Sequence, residues 1–138
     1  MAPTGPSHVT QVRVYVADTD LMGVVYNSNY LIWFEVGRTE LLRTLGMSYR
    51  AVEARGWSLP VTEAIFKVRR PAVHDDLLSV ETTVQDVRSR GLTFSYRIQR
   101  DGDLLVEGAT THVPLCRETG RAGRIPEWLS TLLRPTEC

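Results

Sequence analysis

Residues 12–16 read Val-Arg-Val-Tyr-Val, with an apolar residue at every second position. That period of two predicts a strand buried on one face, and the Pro- and Gly-containing stretch before it reads as a tail. The period changes after an acidic turn at Asp18-Thr19-Asp20. Tyr30, Leu31, Phe34, Gly37, Leu41, Leu42 and Leu45 recur at three- and four-residue spacing, while Glu35, Thr39 and Arg43 fall on another side. This is the pattern of a long amphipathic helix. Asn27 and Ser28 are its candidate N-caps and Gly46 its candidate terminating glycine. Gly37 costs about 1 kcal/mol in helix propensity relative to alanine, which predicts that the helix closely approaches something flat.

Residues 47–58 read as a short helical turn and a loop anchored by Met47, Val52 and Trp57. Four strand-like segments follow without another long helix. Ala64, Phe66 and Val68 share one face, then Leu78, Val80, Thr82 and Val84, then Leu92, Phe94, Tyr96 and Ile98. Asp101-Gly102 is a tight-hairpin signal and leads into a segment where Leu104, Val106, Gly108 and Thr110 alternate with their neighbours. Residues 117–123 read as a loop, and 126–133 as a short closing helix. Strand, long helix, then four strands is an α+β order with an antiparallel sheet. Five strands spaced by about 4.8 Å make a sheet about 24 Å wide, which one helix of roughly 28 Å can cross. Such a helix covers one face and leaves the edge strands bare, so the chain is expected to form an oligomer.

A chain of 138 residues is read as a single domain, with a core at about 9–115 and a C-terminal segment at 116–138. The formal net charge of zero argues against a nucleic-acid or anionic-membrane partner recruited by overall charge. No segment is apolar for long enough to span a bilayer. Met1–Thr10 lacks a signal-peptide layout, and Cys116 and Cys138 form no disulfide framework, which points to the cytoplasm. Lys67 is the only lysine, and seven arginines lie from Arg88 to Arg124. Arginine suits either a solvated strand face or a phosphate.

The acidic turn carries the candidate chemistry. Backbone N–H groups at a helix N-terminus point outward unpaired and can hold a carbonyl oxygen that becomes negative, while Asp20 acts from the other side. Asp18 and Asp20 are also ordinary turn formers, and Asp18 is read as support for the turn. Glu35 is placed to pair with Arg38 at i,i+3. His8, His74 and His112 are scattered without metal-site spacing. There is no Gly-x-Ser-x-Gly elbow and no phosphate loop, and Cys116 is read as a strand-end core residue.

The stretch VRVYVADTDLMGVVYNSNYLIWFEVGRTELLR, continued loosely by FKVRRPAVHDDLLSVETTVQDVRSRGLTFSYRI, resembles the 4-hydroxybenzoyl-CoA thioesterase family, and most closely its Tol-Pal-associated branch. The resemblance covers about residues 9–115. It implies a hotdog fold, in which a five-stranded antiparallel sheet wraps one long helix. It also implies pairing of protomers into a double-length sheet and their further association into homotetramers. The implied activity is hydrolysis of acyl-CoA without a metal or redox cofactor, CoA being part of the substrate. By the same resemblance Asp20 is the catalytic nucleophile or general base. The backbone N–H of Asn27, seven residues on, is the oxyanion donor, and Gly23 and Tyr26 belong to the same site. Arg88, Arg90 and Arg124 match positions that hold the CoA phosphates, and residues 58–61 match the wall beside the thioester. Relatives in that branch often carry His where this chain has Asn27, and an imidazole's help in proton transfer is then missing. Other readings of the same residues are a thioesterase for carrier-protein-bound acyl chains, a non-catalytic acyl-CoA binding module and a hydratase.

Overall fold

A computed structural model describes residues 5–134. Cys138 and the first four residues of the tail lie outside the described residues. The first strand begins and ends earlier than the alternation at Val12–Val16 predicts: β1 runs Ser7–Arg13. Its ladder with the strand Leu77–Arg88 ends at Arg13↔Leu77, because the next donors are taken elsewhere. Val14 N–H donates to the Asp76 carbonyl at 2.9 Å, and Tyr15 N–H to Asp18 Oδ2 at 2.9 Å. Val16 therefore enters a 3-10 turn at Val16–Asp18 and is 70% exposed instead of buried.

Helix α1 spans Asn27–Thr44, with Tyr26 in the N-cap position and no side-chain cap. The expected caps, Asn27 and Ser28, are its first two helical residues. The C-terminal end is as the sequence predicts. Gly46 adopts φ +90°, Gly46 N–H donates to the Arg43 carbonyl, and Met47 N–H to that of Leu42, the pair of bonds that closes a Schellman motif. Tyr30, Phe34, Gly37, Leu41 and Leu42 are buried as expected. Trp33 joins them, while Leu31 is 38% exposed because it borders an open cavity beside the strand Val61–Val68. A Cβ at Gly37 would collide with Thr82 Oγ1 and stand 3.0 Å from Val80 Cγ1. The close approach that the glycine predicts is therefore to the face of the sheet.

That sheet contains β1, β3 (Val61–Val68), β4 (Leu77–Arg88), β5 (Gly91–Arg100) and β6 (Asp103–His112), in the order β1-β4-β5-β6-β3. Every ladder is antiparallel. The expected inward faces of β4 and β5 are buried throughout. In β6 the alternation breaks, because Leu105 is skipped between the pairs Ile98↔Val106 and Gln99↔Leu104. This bulge lets Leu105 and Val106 both be buried. The hairpin at Asp101-Gly102 has φ of +51° and +85°, as a type I′ turn requires.

Between α1 and β3 lies α2 (Tyr49–Ala54), followed by β2 (Trp57–Ser58). β2 pairs with β7 (Leu115–Cys116), which pairs with β8 (Arg121–Ala122). Part of the expected 117–123 loop is thus a strand of a small second sheet. Two-residue strands carry too little periodicity to be read in advance. The closing helix, α3, spans Glu127–Leu133. Among the described residues, no helix is long and apolar enough to cross a membrane.

Candidate active site

The acidic turn is tied down on three sides. Thr19 and Val25 form an isolated antiparallel bridge, and so do Val24 and Val73. Val25 N–H donates to the Ala72 carbonyl at 3.0 Å, and Ala72 N–H in turn donates to the Tyr30 hydroxyl at 3.2 Å. Burial raises the Tyr30 pKa, so the phenol stays protonated. Asp76 orders the 72–76 loop from beneath: its Oδ2 accepts from Val73 N–H at 3.0 Å and from Arg100 Nη1 at 2.7 Å.

Within the turn, Asp20 Oδ1 accepts from Met22 N–H at 2.8 Å and from Val24 N–H at 3.4 Å. Gly23, with φ +82°, makes the reversal, and its N–H donates to the Asp20 carbonyl at 3.0 Å. The carboxylate is thus oriented through Oδ1, and no hydrogen bond to Oδ2 is made among the described residues. Asp18 is the support that the sequence predicts. Its Oδ2 holds Tyr15 N–H, its Oδ1 accepts from Asn29 Nδ2 at 2.9 Å, and its carbonyl accepts from Tyr26 N–H at 3.0 Å. Asn29 N–H donates to the Tyr26 carbonyl at 2.9 Å. Asn27 and Ser28 therefore supply the outward donors of the first helical turn. Tyr26 and Asn27 are both exposed.

The predicted phosphate contacts stand elsewhere. Arg88 ends β4, where it pairs with Asp86, and it flanks Ser89 together with Arg90. The Ser89 carbonyl accepts from Ile125 N–H at 2.8 Å, which draws Arg124 to the same corner. All three arginines are exposed. The acidic turn is tied to Ala72 and Val73, ahead of β4, so the length of that strand from Leu77 to Arg88 separates it from Arg88, about 36 Å at strand rise. The structure gathers these arginines with one another and away from Asp20 of the same chain.

Along α1 from the turn lie two neighbouring cavities. The larger, about 440 Å³, is walled by Glu35, Arg38, Tyr49, Leu59, Phe94 and His112 among others. The smaller, about 280 Å³, shares Glu35, Arg38 and Val61 with it and adds Leu31 and Ile32. The expected segment 58–61 thus does line a cavity, through Leu59, Pro60 and Val61. Arg38 Nη2 lies 3.7 Å from Glu35 Oε1, the ion pair that the i,i+3 spacing predicts, and it lies on the cavity wall.

His112 gave no sequence signal beyond the inward parity it shares with Thr110. It is fully buried. Its Nδ1 lies 2.9 Å from the Leu59 carbonyl and its Nε2 2.8 Å from Thr110 Oγ1. Burial lowers its pKa from 6.5 to about 4, outweighing the opposite effect of the Leu59 bond. Cys116 is half-buried in β7, not in the core. Hydrogen bonds from Thr119 and Glu118 lower its pKa.

Residues 14–133 match the Thioesterase-like superfamily. The chain belongs to that superfamily. This thioesterase-like protein is 39% identical to the acyl-CoA thioesterase YbgC of Haemophilus influenzae over 111 residues, 80% of each chain. It superimposes on the protein TT1821 of Thermus thermophilus with a TM-score of 0.87 and 41% identity, covering 91% of this chain and 95% of the other. A mutant 4-hydroxybenzoyl-CoA thioesterase complexed with 4-hydroxybenzoyl-CoA gives a TM-score of 0.85 at 21% identity, covering 94% of this chain and 99% of the other. That likeness speaks to the fold, which is the hotdog fold that the resemblance implies and is consistent with the α+β order read from the helical and strand patterns. The protein is a thioester hydrolase of that fold.

Proposed function

We propose that this protein hydrolyses acyl-CoA, with Asp20 as the acting carboxylate and the first turn of α1 as the oxyanion site. Identity with an acyl-CoA thioesterase over most of both chains supports the reaction. The single observation that supports the assignment of Asp20 is its anchoring through Oδ1 alone, beside a helix N-terminus. The thioester carbonyl oxygen accepts from the outward N–H of Asn27. As the tetrahedral intermediate forms, the charge on that oxygen meets backbone donors already in place, each worth about 3 kcal/mol in comparable sites. That intermediate forms in one of two ways. In the first, Asp20 Oδ2 attacks the carbonyl carbon, and after CoA thiolate leaves water hydrolyses the resulting mixed anhydride to free acid and carboxylate. In the second, Asp20 Oδ2 takes a proton from an attacking water, and the intermediate collapses to free acid and CoA thiolate, which is protonated. Gly23 keeps the reversal open, and Tyr26 stands at the site's rim.

The acyl group lies in the trough beside α1, toward the two cavities. Arg88, Arg90 and Arg124 suit the phosphates of CoA, and their distance from Asp20 in one chain requires that another copy present them. The free edge of β3 supports such an assembly. Ile32 is 54% and Val61 43% exposed on the α1 side of this edge, and Ile65 is 63% exposed on its other face, so apolar side chains stand on both sides of unpaired strand backbone. Pairing of β3 with its copy gives a dimer, and tetramers follow by association of dimers.

The test is thiol release from a panel of aliphatic and aromatic acyl-CoAs. We expect Asp20→Asn to reduce kcat by about a hundredfold or more, with the fold intact by circular dichroism. Unchanged turnover in the mutant removes Asp20 from the mechanism. Absence of wild-type turnover on every acyl-CoA, with turnover on carrier-protein thioesters, reassigns the substrate.

A further inference from the structure

The Asp20 turn and the first turn of α1 both rest on one short segment, residues 72–76. On the side of the acidic turn, Val24 bridges Val73, and Val25 N–H donates to the Ala72 carbonyl at 3.0 Å. On the side of the helix, Ala72 N–H donates to the Tyr30 hydroxyl at 3.2 Å. Ala72 therefore commits its carbonyl to one element of the site and its N–H to the other. Tyr30 and Ala72 are fully buried, so bulk water competes for neither bond.

The segment itself is held from several sides. Asp76 Oδ2 accepts from Val73 N–H at 3.0 Å and from Arg100 Nη1 at 2.7 Å. The side chains of that ion pair are only 15% and 29% exposed. Asp75 N–H donates to the Val14 carbonyl at 2.7 Å, and Val14 N–H donates to the Asp76 carbonyl at 2.9 Å. Arg13 Nη1 donates to the Asp75 carbonyl at 2.7 Å. Asp75 adopts φ +70°, a left-handed conformation that persists in a non-glycine residue where its surroundings over-determine it. Residues 72–76 are thus a fixed platform, anchored to β1 and β5.

Tyr30 is where the helix meets that platform. It is the fourth residue of α1, one turn on from Asn27. Its ring packs against Trp33 and Phe66 at centroid distances of 5.7 and 6.1 Å, which fixes the direction of the hydroxyl. A phenylalanine keeps the ring and leaves Ala72 N–H buried without its acceptor. The platform would then move to satisfy that amide and carry Val24, Val25 and Asp20 with it.

We propose that Tyr30 is a positioning residue for the hydrolysis: through Ala72, its hydroxyl sets the separation between the Asp20 carboxylate and the backbone donors of α1. Asp76 is a second positioning residue, acting on the same platform through Val73. The inference rests on the reading of Asp20 as the acting carboxylate. Misplacement of reacting groups by about 1 Å is enough to cost a large part of the rate.

The experiment measures kcat and KM for one acyl-CoA, per folded enzyme, in the wild type, Tyr30→Phe, Asp20→Asn and their double mutant. Asp76→Asn and a control, Thr44→Val, complete the set. The control loses the bond from Thr44 Oγ1 to the Leu41 carbonyl at the far end of α1 and should keep wild-type kcat. Tyr30→Phe should lower kcat by about tenfold or more while KM stays within about twofold. Asp76→Asn, which keeps an acceptor for Val73 N–H but loses the charge facing Arg100, should lower kcat less. In the Asp20→Asn background the further loss from Tyr30→Phe should shrink to about twofold or less, because the phenol acts through the placement of that carboxylate. Should Tyr30→Phe fail to fold, the same cycle with Asp76→Asn decides. A kcat retained in the positioning variants, or a loss undiminished beside Asp20→Asn, overturns the inference and leaves Asp20 in its role. Unchanged turnover in Asp20→Asn overturns both.

Discussion

Asn29 Nδ2 donates to Asp18 Oδ1 at 2.9 Å, so a side chain in the first turn of α1 is clamped to the turn that carries Asp20. The same carboxylate accepts from Tyr15 N–H through its other oxygen. Asp18 thereby sets the position of the helix N-terminus relative to the carboxylate two residues along. The relationship separates two roles within one acidic turn, since Asp18 is engaged on both oxygens and Asp20 on one.

Replacing Asp18 by alanine removes two charge-assisted bonds. At this partly exposed site we expect a loss of about 1–2 kcal/mol in stability, read from thermal unfolding. Turnover should fall by about tenfold or more even at temperatures where the variant is fully folded, because donor and carboxylate must keep their geometry. Activity that merely tracks the folded fraction would reduce Asp18 to a structural residue.

Gly37→Ala sets two effects against each other. Alanine improves helix propensity by about 1 kcal/mol, but its Cβ collides with Thr82 Oγ1, and overpacking of this kind costs about 1–3 kcal/mol. We expect net destabilisation. Thr82 is buried, and its hydroxyl has no hydrogen-bond partner among the described residues, so Thr82→Ala removes the obstacle cheaply. Denaturant titration of the double-mutant cycle should give a coupling of about 1 kcal/mol or more; additive effects would place the contact elsewhere.

His112 makes stability depend on pH in a definite direction. Its pKa is about 4 in the folded chain against 6.5 for the ordinary side chain, so as pH falls the unfolded chain takes up the proton first. Stability from this group is complete above about 6.5 and is lost progressively toward 4. The difference corresponds to about 3 kcal/mol at most. His112→Gln, which does not titrate, should flatten the unfolding free energy across that window relative to wild type. Parallel slopes in the two proteins would show that the imidazole titrates normally.

Ile65→Lys places a charge on the exposed face of the edge strand β3, a device that blocks edge pairing. Sedimentation should show the wild type as an oligomer and the variant shifted toward monomer, with acyl-CoA turnover falling in step. An unshifted oligomer would move the interface away from β3.

Much of the fold is legible along the chain because its signals are local. The helical period from Tyr30 to Leu42, the inward faces of β4 and β5, the Asp101-Gly102 hairpin and the glycine at position 46 each follow from side-chain spacing or from a backbone angle that few residues adopt. The sequence by itself also marks the acidic turn, since two aspartates before a helix start are visible at short range. Tertiary structure decided what depends on partners far along the chain. Val16 left the strand because Asp76 and Asp18 took the preceding amides. Leu105 turned inward because β5 and β6 pair across a bulge. His112 became part of a buried chain only when Leu59, 53 residues away, came within hydrogen-bond reach. The roles of Arg38 and Glu35 divide in the same way. Their i,i+3 spacing made the ion pair readable, while their place on a cavity wall required the packing of α1 against the sheet.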